Sequence, residues 1–253
     1  METAEEIIER ISNGVRGKKY IKIPIWDEFA NHIAFENRFV GSEIKNDVCA
    51  YIDWKLSEKE MIFHFSKGTV IYRARKIMRE EITKNKDGYF EGFSAEKSGM
   101  PPYRKTPNGR VNIAGIPILY TATERETACA ELRPMKEDYI SIAEYKITED
   151  IDVANFTLEQ IEKVEQRPDG ILFLNEMFKS FSLPVSNDLI DYLPSEFISE
   201  YIRLNHKDLS GIRYSSLHNL GGYNLGLFND EKCEFVKSIA VQCNRVIYNY
   251  KEL

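Results

Sequence analysis

The stretch 108–134 combines an arginine, an aromatic residue and a carboxylate around one predicted strand–helix unit. It reads NGRVNIAGIPILYTATERETACAELRP. Arg110 follows a Pro-Asn-Gly turn, Tyr120 ends a short apolar run, and Glu131 lies in a helix-like segment. Together, these side chains are suited to hold an anionic, planar ligand and to act on it. Taken singly, Arg110 is also explained as a solvent-facing loop residue and Tyr120 as a core aromatic.

Glu131 is the most informative of the three, because the helix around it carries small and apolar residues. A carboxylate on such a face is costly to bury unless it has a partner. One explanation is a structural salt bridge to Arg125 or Arg133. The other is a carboxylate held near a cation-binding or sugar-binding pocket, and its combination with the rest of the stretch favours this second interpretation.

A pair of arginines precedes this stretch in a segment typical of a β-strand, TVIYRAR. Arg73 and Arg75 alternate with Tyr72 and Ala74, so both arginines point to one face of the strand. Two neighbouring guanidinium groups repel each other, and an anionic ligand such as a phosphate would relieve that repulsion. An exposed arginine pair on an edge strand is the alternative.

Two serines, Ser215 and Ser216, end another predicted strand just before a Gly-Gly loop. Hydroxyl groups at the end of a strand are suited to hold a phosphate or a ribose. The sequence contains no G-x-S-x-G elbow, so a serine nucleophile is not supported. It also lacks a Walker A loop, a G-x-G-x-x-G fingerprint and an H-E-x-x-H motif.

Length and composition narrow the class of protein. The chain has 253 residues and a formal net charge of −6, so it has no global basic footprint for nucleic acid. The four cysteines form no C-x2-C pair and have no histidine at metal-ligand spacing, which disfavours a zinc site and a disulfide framework. No apolar run has the length of a membrane span, and the acidic N-terminus lacks a signal-peptide pattern, so we expect a cytoplasmic protein without a membrane partner.

The hydrophobic patterns predict an α+β protein with a helical region over residues 1–66 and the main domain over 67–253. A capping box at Thr3 begins a predicted helix that Gly14 closes. Further helices are predicted around 26–40 and over 48–56, 124–132, 157–164, 171–181 and from 192 onward. Strands are predicted over 69–75, 116–120, 139–147, 150–156, 211–216, 223–228, 235–241 and 246–250. The polar loop 85–107 is long enough to be functional.

Several segments of the chain resemble parts of the RES domain, a toxin-like domain named for its Arg, Glu and Ser. They follow one another in the same order as in that family. The resemblance covers roughly residues 67–230. The segments that carry it are TVIYRAR, GRVNIAGIPILYTATERETACAEL, DYLPSEFISEYI and GIRYSSLHNLGGYNLGLF. The most specific part is the GR-x-N-x-x-G-x-P-x-LY motif followed by E-T-A-x-A-E. The resemblance implies an ADP-ribosyltransferase-like fold with NAD+ in a cleft between small sheets.

The resemblance also assigns roles to residues. Arg73, Glu131 and Ser216 match the family's catalytic positions, with Ser215 an open alternative to Ser216. The residues that would bind substrate are Arg75, Arg110, Asn112, Tyr120, Ser215 and Asn224. No metal is implied. NAD+ is implied as the substrate rather than a cofactor, with inorganic phosphate as a candidate co-substrate.

Family members are described as NAD+ phosphorylases, NAD+ glycohydrolases or protein ADP-ribosyltransferases. The expected function is therefore NAD+ degradation by an intracellular toxin or defence effector, with a non-catalytic nucleotide-binding module as the rival from another class. An antitoxin and self-association remain open as partners. The N-terminal region resembles the HEPN-like extension of longer relatives, but no Arg–His pair has the spacing of HEPN ribonucleases. A regulatory or oligomerising role for this region is a hypothesis.

Overall fold

The computed structural model describes residues 21–183 and 189–247. The helix predicted over 3–14 lies outside these residues. The described part contains seven α-helices, which are α1 Trp26–Asn31, α2 Glu43–Ser57, α3 Ala95–Ser98, α4 Arg125–Glu131, α5 Ile161–Val164, α6 Pro168–Ser182 and α7 Leu193–Asn205. Its strands are β1 Ile62–Phe65, β2 Val70–Ile77, β3 Leu119–Ala122, β4 Tyr139–Ile147, β5 Ile151–Phe156, β6 Leu209–Ser215, β7 Tyr223–Leu227 and β8 Cys233–Gln242. None of the described helices is long and apolar enough to cross a membrane.

The strands form one sheet in the order β1-β5-β6-β7-β3-β2-β4-β8, in which only β5 and β6 are parallel. The sheet is nearly divided between β2 and β3, which share the single residue pair Tyr72↔Ala122. By contrast, β2 pairs with β4 along its whole length, from Val70 to Ile77. The small sheets implied by the resemblance are therefore two halves of one sheet, joined at a single pair.

The core explains why the helices lie where they do. Helix α6 begins with Pro168 at its first turn, a position that suits proline because its nitrogen has no hydrogen to donate. Its apolar side packs with α1, α2 and α7 against β5 and β6, and Phe156 stacks on Phe178 with ring centroids 5.1 Å apart. A second cluster, which includes Ile71 and Leu225, lies against β2, β4, β5 and β7. The helices of residues 26–57 thus share a core with the main domain.

The predicted strands differ from the structure at three places. Strand β1 lies within the region predicted to be helical, because its four residues become a strand only by pairing with β5 far along the chain. The strand predicted over 116–120 begins later, at Leu119. No strand forms over 243–247, because β4, which is the one neighbour of β8 among the described strands, already ends where Tyr139 pairs with Gln242. Residues 248–250 of that predicted strand lie outside the described part.

The core also contains a carboxyl group whose protonation should govern stability. Glu196 on α7 is 2% exposed, and its Oε1 has no hydrogen-bond partner among the described residues. Burial, and then the Glu200 carboxylate, raise the pKa of Glu196 to about 7, although Arg38 opposes them. Because the folded state binds this proton more tightly than the unfolded chain, this contribution to stability is present at low pH and is lost as the pH rises towards 7.

We therefore expect Glu196→Gln to raise the free energy of unfolding by about 1–3 kcal/mol at pH 8, since one pKa unit corresponds to about 1.4 kcal/mol. At pH 4 the two proteins should differ little, because both side chains are then neutral. Urea unfolding at the two pH values measures the effect, with the exposed Glu231→Gln as the control. An equal change at both pH values would contradict a role for the charge.

Candidate active site

The division between the two halves of the sheet opens into a cleft. Its inner lobe has a volume of about 410 Å³ and is lined from β2, β3, α4, β6 and β7 by Arg73, Arg75, Arg110, Tyr120, Glu131 and Asn224, among others. Its outer lobe, of about 500 Å³, extends under the 96–109 loop and adds Lys97, Lys105 and Glu96. The two lobes share Arg73, Arg75, Gly109 and Tyr120. Six of the nine predicted site residues thus line one lobe.

Arg73 spans the division in the sheet. Its Nη1 donates a hydrogen bond of 2.9 Å to the carbonyl oxygen of Tyr120, which replaces ladder pairing between β2 and β3. Its Nε is buried and has no partner among the described residues. Burial, together with the nearby Arg75 guanidinium, lowers the pKa of Arg73 below its ordinary value, but an arginine remains charged. A half-buried cation that lines a cleft is suited to an anionic ligand.

The carboxylate of Glu131 is oriented from one side. Ser216 Oγ donates to Glu131 Oε1 at 2.6 Å, and Asn224 Nδ2 donates to the same oxygen at 2.7 Å. Among the described residues, Oε2 accepts no hydrogen bond and Glu131 has no ion pair. The salt bridges considered from the sequence are not formed, because Arg125 pairs with Glu144 and Arg133 donates to His218. The second oxygen is therefore available to a ligand in the inner lobe.

The two serines point in different directions, as consecutive residues at the end of a strand must. Ser216 Oγ accepts the backbone N–H groups of His218 and Asn219, both at 3.2 Å, while its own proton goes to Glu131. Ser215 Oγ instead accepts the backbone N–H of Leu158 and lies away from the cleft. Ser216 is thus a group that positions Glu131, and Ser215 lies outside the cluster.

The loop after Ser216 is fastened to the helix that carries Glu131. Asn219 Nδ2 donates to Thr127 Oγ1 at 2.8 Å, and the Ser216 N–H donates to the Gly222 carbonyl at 2.9 Å. Gly222 packs so closely that a Cβ atom there would lie 2.2 Å from Thr127 Oγ1. This contact between loop and helix sets the distance between the serine and the carboxylate. Neither Thr127 nor Asn219 was singled out from the sequence, because the contact joins segments far apart in the chain.

Tyr120 holds the turn that carries Arg110. Its hydroxyl accepts the Val111 N–H at 2.9 Å and donates to Asn112 Oδ1 at 2.7 Å. A Cβ atom on Gly109 would lie 2.5 Å from this hydroxyl, so only glycine fits there without a shift of its surroundings. Burial raises the pKa of Tyr120 above its ordinary value, so the hydroxyl stays protonated at neutral pH. Asn112 therefore shapes the turn, while the tyrosine ring forms a wall shared by both lobes.

Arg110 lines the inner lobe and is held by residues of the helical layer. Its guanidinium donates to the Ser180 carbonyl at 3.3 Å and lies 5.8 Å from the centroid of the Tyr192 ring. Arg75 is exposed and donates to the Lys97 carbonyl. Tyr214 is a buried wall residue that was not singled out from the sequence, although its alternation with Ser216 places both on one face at the end of β6.

The comparison with protein families identifies the family to which the chain belongs. The family model described as RES domain matches residues 81–248, which is more than half of the chain. The chain belongs to the RES domain family. The predicted family and the predicted α+β, ADP-ribosyltransferase-like fold class are thereby confirmed, and the protein is tied to a NAD-related, toxin-like group. No curated protein and no solved structure matches the chain.

The match to the RES model begins at residue 81, after β2 has ended. Arg73 and Arg75 therefore precede the matched residues, and the structure alone brings them beside Glu131. The match does not extend to the N-terminal helices either, so the boundary between 66 and 67 and the HEPN-like interpretation stay predictions.

Proposed function

We propose that this RES protein is an NAD+-degrading enzyme that cleaves the bond between nicotinamide and ribose, and that it acts as a toxin or defence effector. The observation that carries the proposal is the single cleft in which three arginines face one oriented carboxylate. A dinucleotide needs both features, because its diphosphate is anionic and its reacting ribose becomes cationic.

In the proposed reaction, the C1′–N bond breaks and its electron pair moves onto the pyridinium nitrogen, which leaves as neutral nicotinamide. An oxygen of the acceptor bonds to C1′ and its proton goes to the solvent. The free Oε2 of Glu131 stabilises the positive charge that develops on the ribose or accepts a hydrogen bond from a ribose hydroxyl. Arg73, Arg75 and Arg110 hold the diphosphate through charge-assisted hydrogen bonds.

The acceptor distinguishes the members of this class of reaction. Inorganic phosphate would be a second anion for the same arginines, whereas water needs no binding site of its own. The purified protein should release nicotinamide from NAD+, and the reaction should be run with and without phosphate. ADP-ribose-1″-phosphate would identify a phosphorylase, and free ADP-ribose a glycohydrolase. Label on a protein band would identify a transferase, and no release in any condition would refute the proposal.

A pair of serine variants tests how the carboxylate is oriented. We expect Ser216→Ala to lower kcat for nicotinamide release by about 10- to 100-fold, since a hydrogen bond to a charged group contributes about 1.5–3 kcal/mol. Ser215→Ala should leave kcat within about twofold, because this hydroxyl faces away from the cleft. Steady-state kinetics on both variants measures the difference. Similar losses in the two would show that the hydroxyl of Ser216 has no special role.

A further inference from the structure

A groove outside the cleft lies between the segment 23–27 and α6. We call it the acidic groove, and its volume is about 540 Å³. Its lining residues include none that line the inner or the outer lobe. The residues that form it are Ile23, Pro24, Ile25, Trp26, Asp27, Asp169, Leu172, Phe173 and Glu176. The proposed NAD+ chemistry makes no use of this surface.

The floor of the acidic groove is apolar and continues onto the surface. Trp26 packs edge-on against Phe173, with ring centroids 5.9 Å apart, and Phe173 is buried. At the margins, Ile25 is 58% exposed and Leu172 is 63% exposed. Large apolar side chains exposed beside a concave apolar floor are typical of a surface that another molecule covers.

The charges around this floor have one sign. Asp27, Asp169 and Glu176 stand on the rim, and no basic side chain of the described chain lines the groove. Glu176 accepts from Lys179 at 2.8 Å, which offsets one of the three charges. Asp169 is exposed, and one of its carboxylate oxygens accepts a hydrogen bond from the Gly170 N–H. An occupant must therefore bring apolar anchors together with positive charge.

The geometry of α6 indicates the shape of that occupant. Asp169, Leu172, Phe173 and Glu176 are spaced i, i+3, i+4 and i+7, so they form one side of two helical turns, about 10 Å long. A second helix lying along this side would place apolar residues against the exposed Leu172 and Ile25 and basic residues beside the two carboxylates. We propose that the acidic groove binds a basic amphipathic helix of a partner protein.

The test uses the full chain and a designed probe. The probe is a peptide of about 14 residues in which leucine repeats at helical spacing and the other positions are lysine. Isothermal titration calorimetry at low salt should detect its binding. A peptide of the same composition in scrambled order, and a peptide with glutamate in place of lysine, should both bind at least about tenfold more weakly, a difference of about 1.4 kcal/mol.

Variants locate the binding on the protein. Leu172→Glu should weaken binding of the probe about tenfold or more, because it places a charge in the apolar contact. Asp169→Asn combined with Glu176→Gln should weaken it less and should reduce its dependence on salt. Leu204→Glu is the matched control, since Leu204 is 50% exposed on α7 outside the groove.

Three results would overturn the proposal. The first is equal binding of the scrambled peptide, and the second is an unchanged affinity in Leu172→Glu. The third is a dimer in solution that Leu172→Glu converts to a monomer, which would assign the groove to a second copy of this chain. Leu172→Glu should leave the release of nicotinamide unchanged. A failure of the peptide-binding proposal can therefore be distinguished from a failure of the proposed reaction.

Discussion

Replacing Glu131 by glutamine should lower kcat for nicotinamide release by about 10²–10³-fold, the usual loss when one preorganised electrostatic group is removed. Glutamine has nearly the same shape, and its carbonyl oxygen can still accept the hydrogen bonds from Ser216 and Asn224. The loss would therefore reflect the missing negative charge opposite the ribose. KM should change little, because the charge acts on the transition state more than on the bound substrate.

The control for this experiment lies on the same helix. Glu126 is an exposed carboxylate in the first turn of α4, and Glu126→Gln should keep full activity. Both variants should unfold at nearly the same temperature as the unmodified protein. If Glu131→Gln retained its kcat while Arg73 variants lost theirs, the cleft would bind an anion without using this carboxylate.

Replacing Arg73 by lysine should raise KM for NAD+ by about 10- to 100-fold, since hydrogen bonds to charged groups contribute about 1.5–3 kcal/mol each. Lysine keeps the positive charge but lacks the planar fork that serves two acceptors at once. In this protein the fork has two tasks, because Nη1 holds the Tyr120 carbonyl while the guanidinium also lines the cleft. A lysine can serve only one of them well.

Arg79→Lys provides the comparison, because Arg79 is exposed and lines neither lobe. Its KM should stay within about twofold of the original. Arg73→Lys should also lower the unfolding temperature, since the hydrogen bond to Tyr120 spans the division in the sheet. An unchanged KM in Arg73→Lys, with the unfolding temperature lowered, would restrict Arg73 to a structural role.

The local sequence patterns were sufficient to predict most of the helices and strands. Strand β4 has the predicted bounds, because apolar and polar residues alternate over most of its length. Helix α4 also forms within the predicted segment, after the turn-forming residues at 123 and 124. Strand β1 was missed, because four residues hold too little pattern to be separated from the preceding helix. Its partner β5 lies about ninety residues further along the chain.

The candidate site was likewise predicted only in part from the sequence. Alternation correctly predicts that Arg73 and Arg75 share a face, and the helix position of Glu131 predicts a carboxylate in need of a partner. The identity of that partner could not be predicted. The sequence offered Arg125 and Arg133 as neighbours, but the fold supplies Ser216, which follows β6, and Asn224 from β7, both far along the chain.

By itself, the sequence determined the residue types, their periodicity and the glycine positions that allow close turns, and with them most of the helices and strands and the family. Only the tertiary structure decided that β2 and β3 meet at one pair, so that a cleft opens between them. It also decided which serine reaches Glu131. The reason is physical, since propensity and periodicity act over neighbouring residues, whereas strand pairing and side-chain contacts join segments whose separation along the chain leaves no local signal.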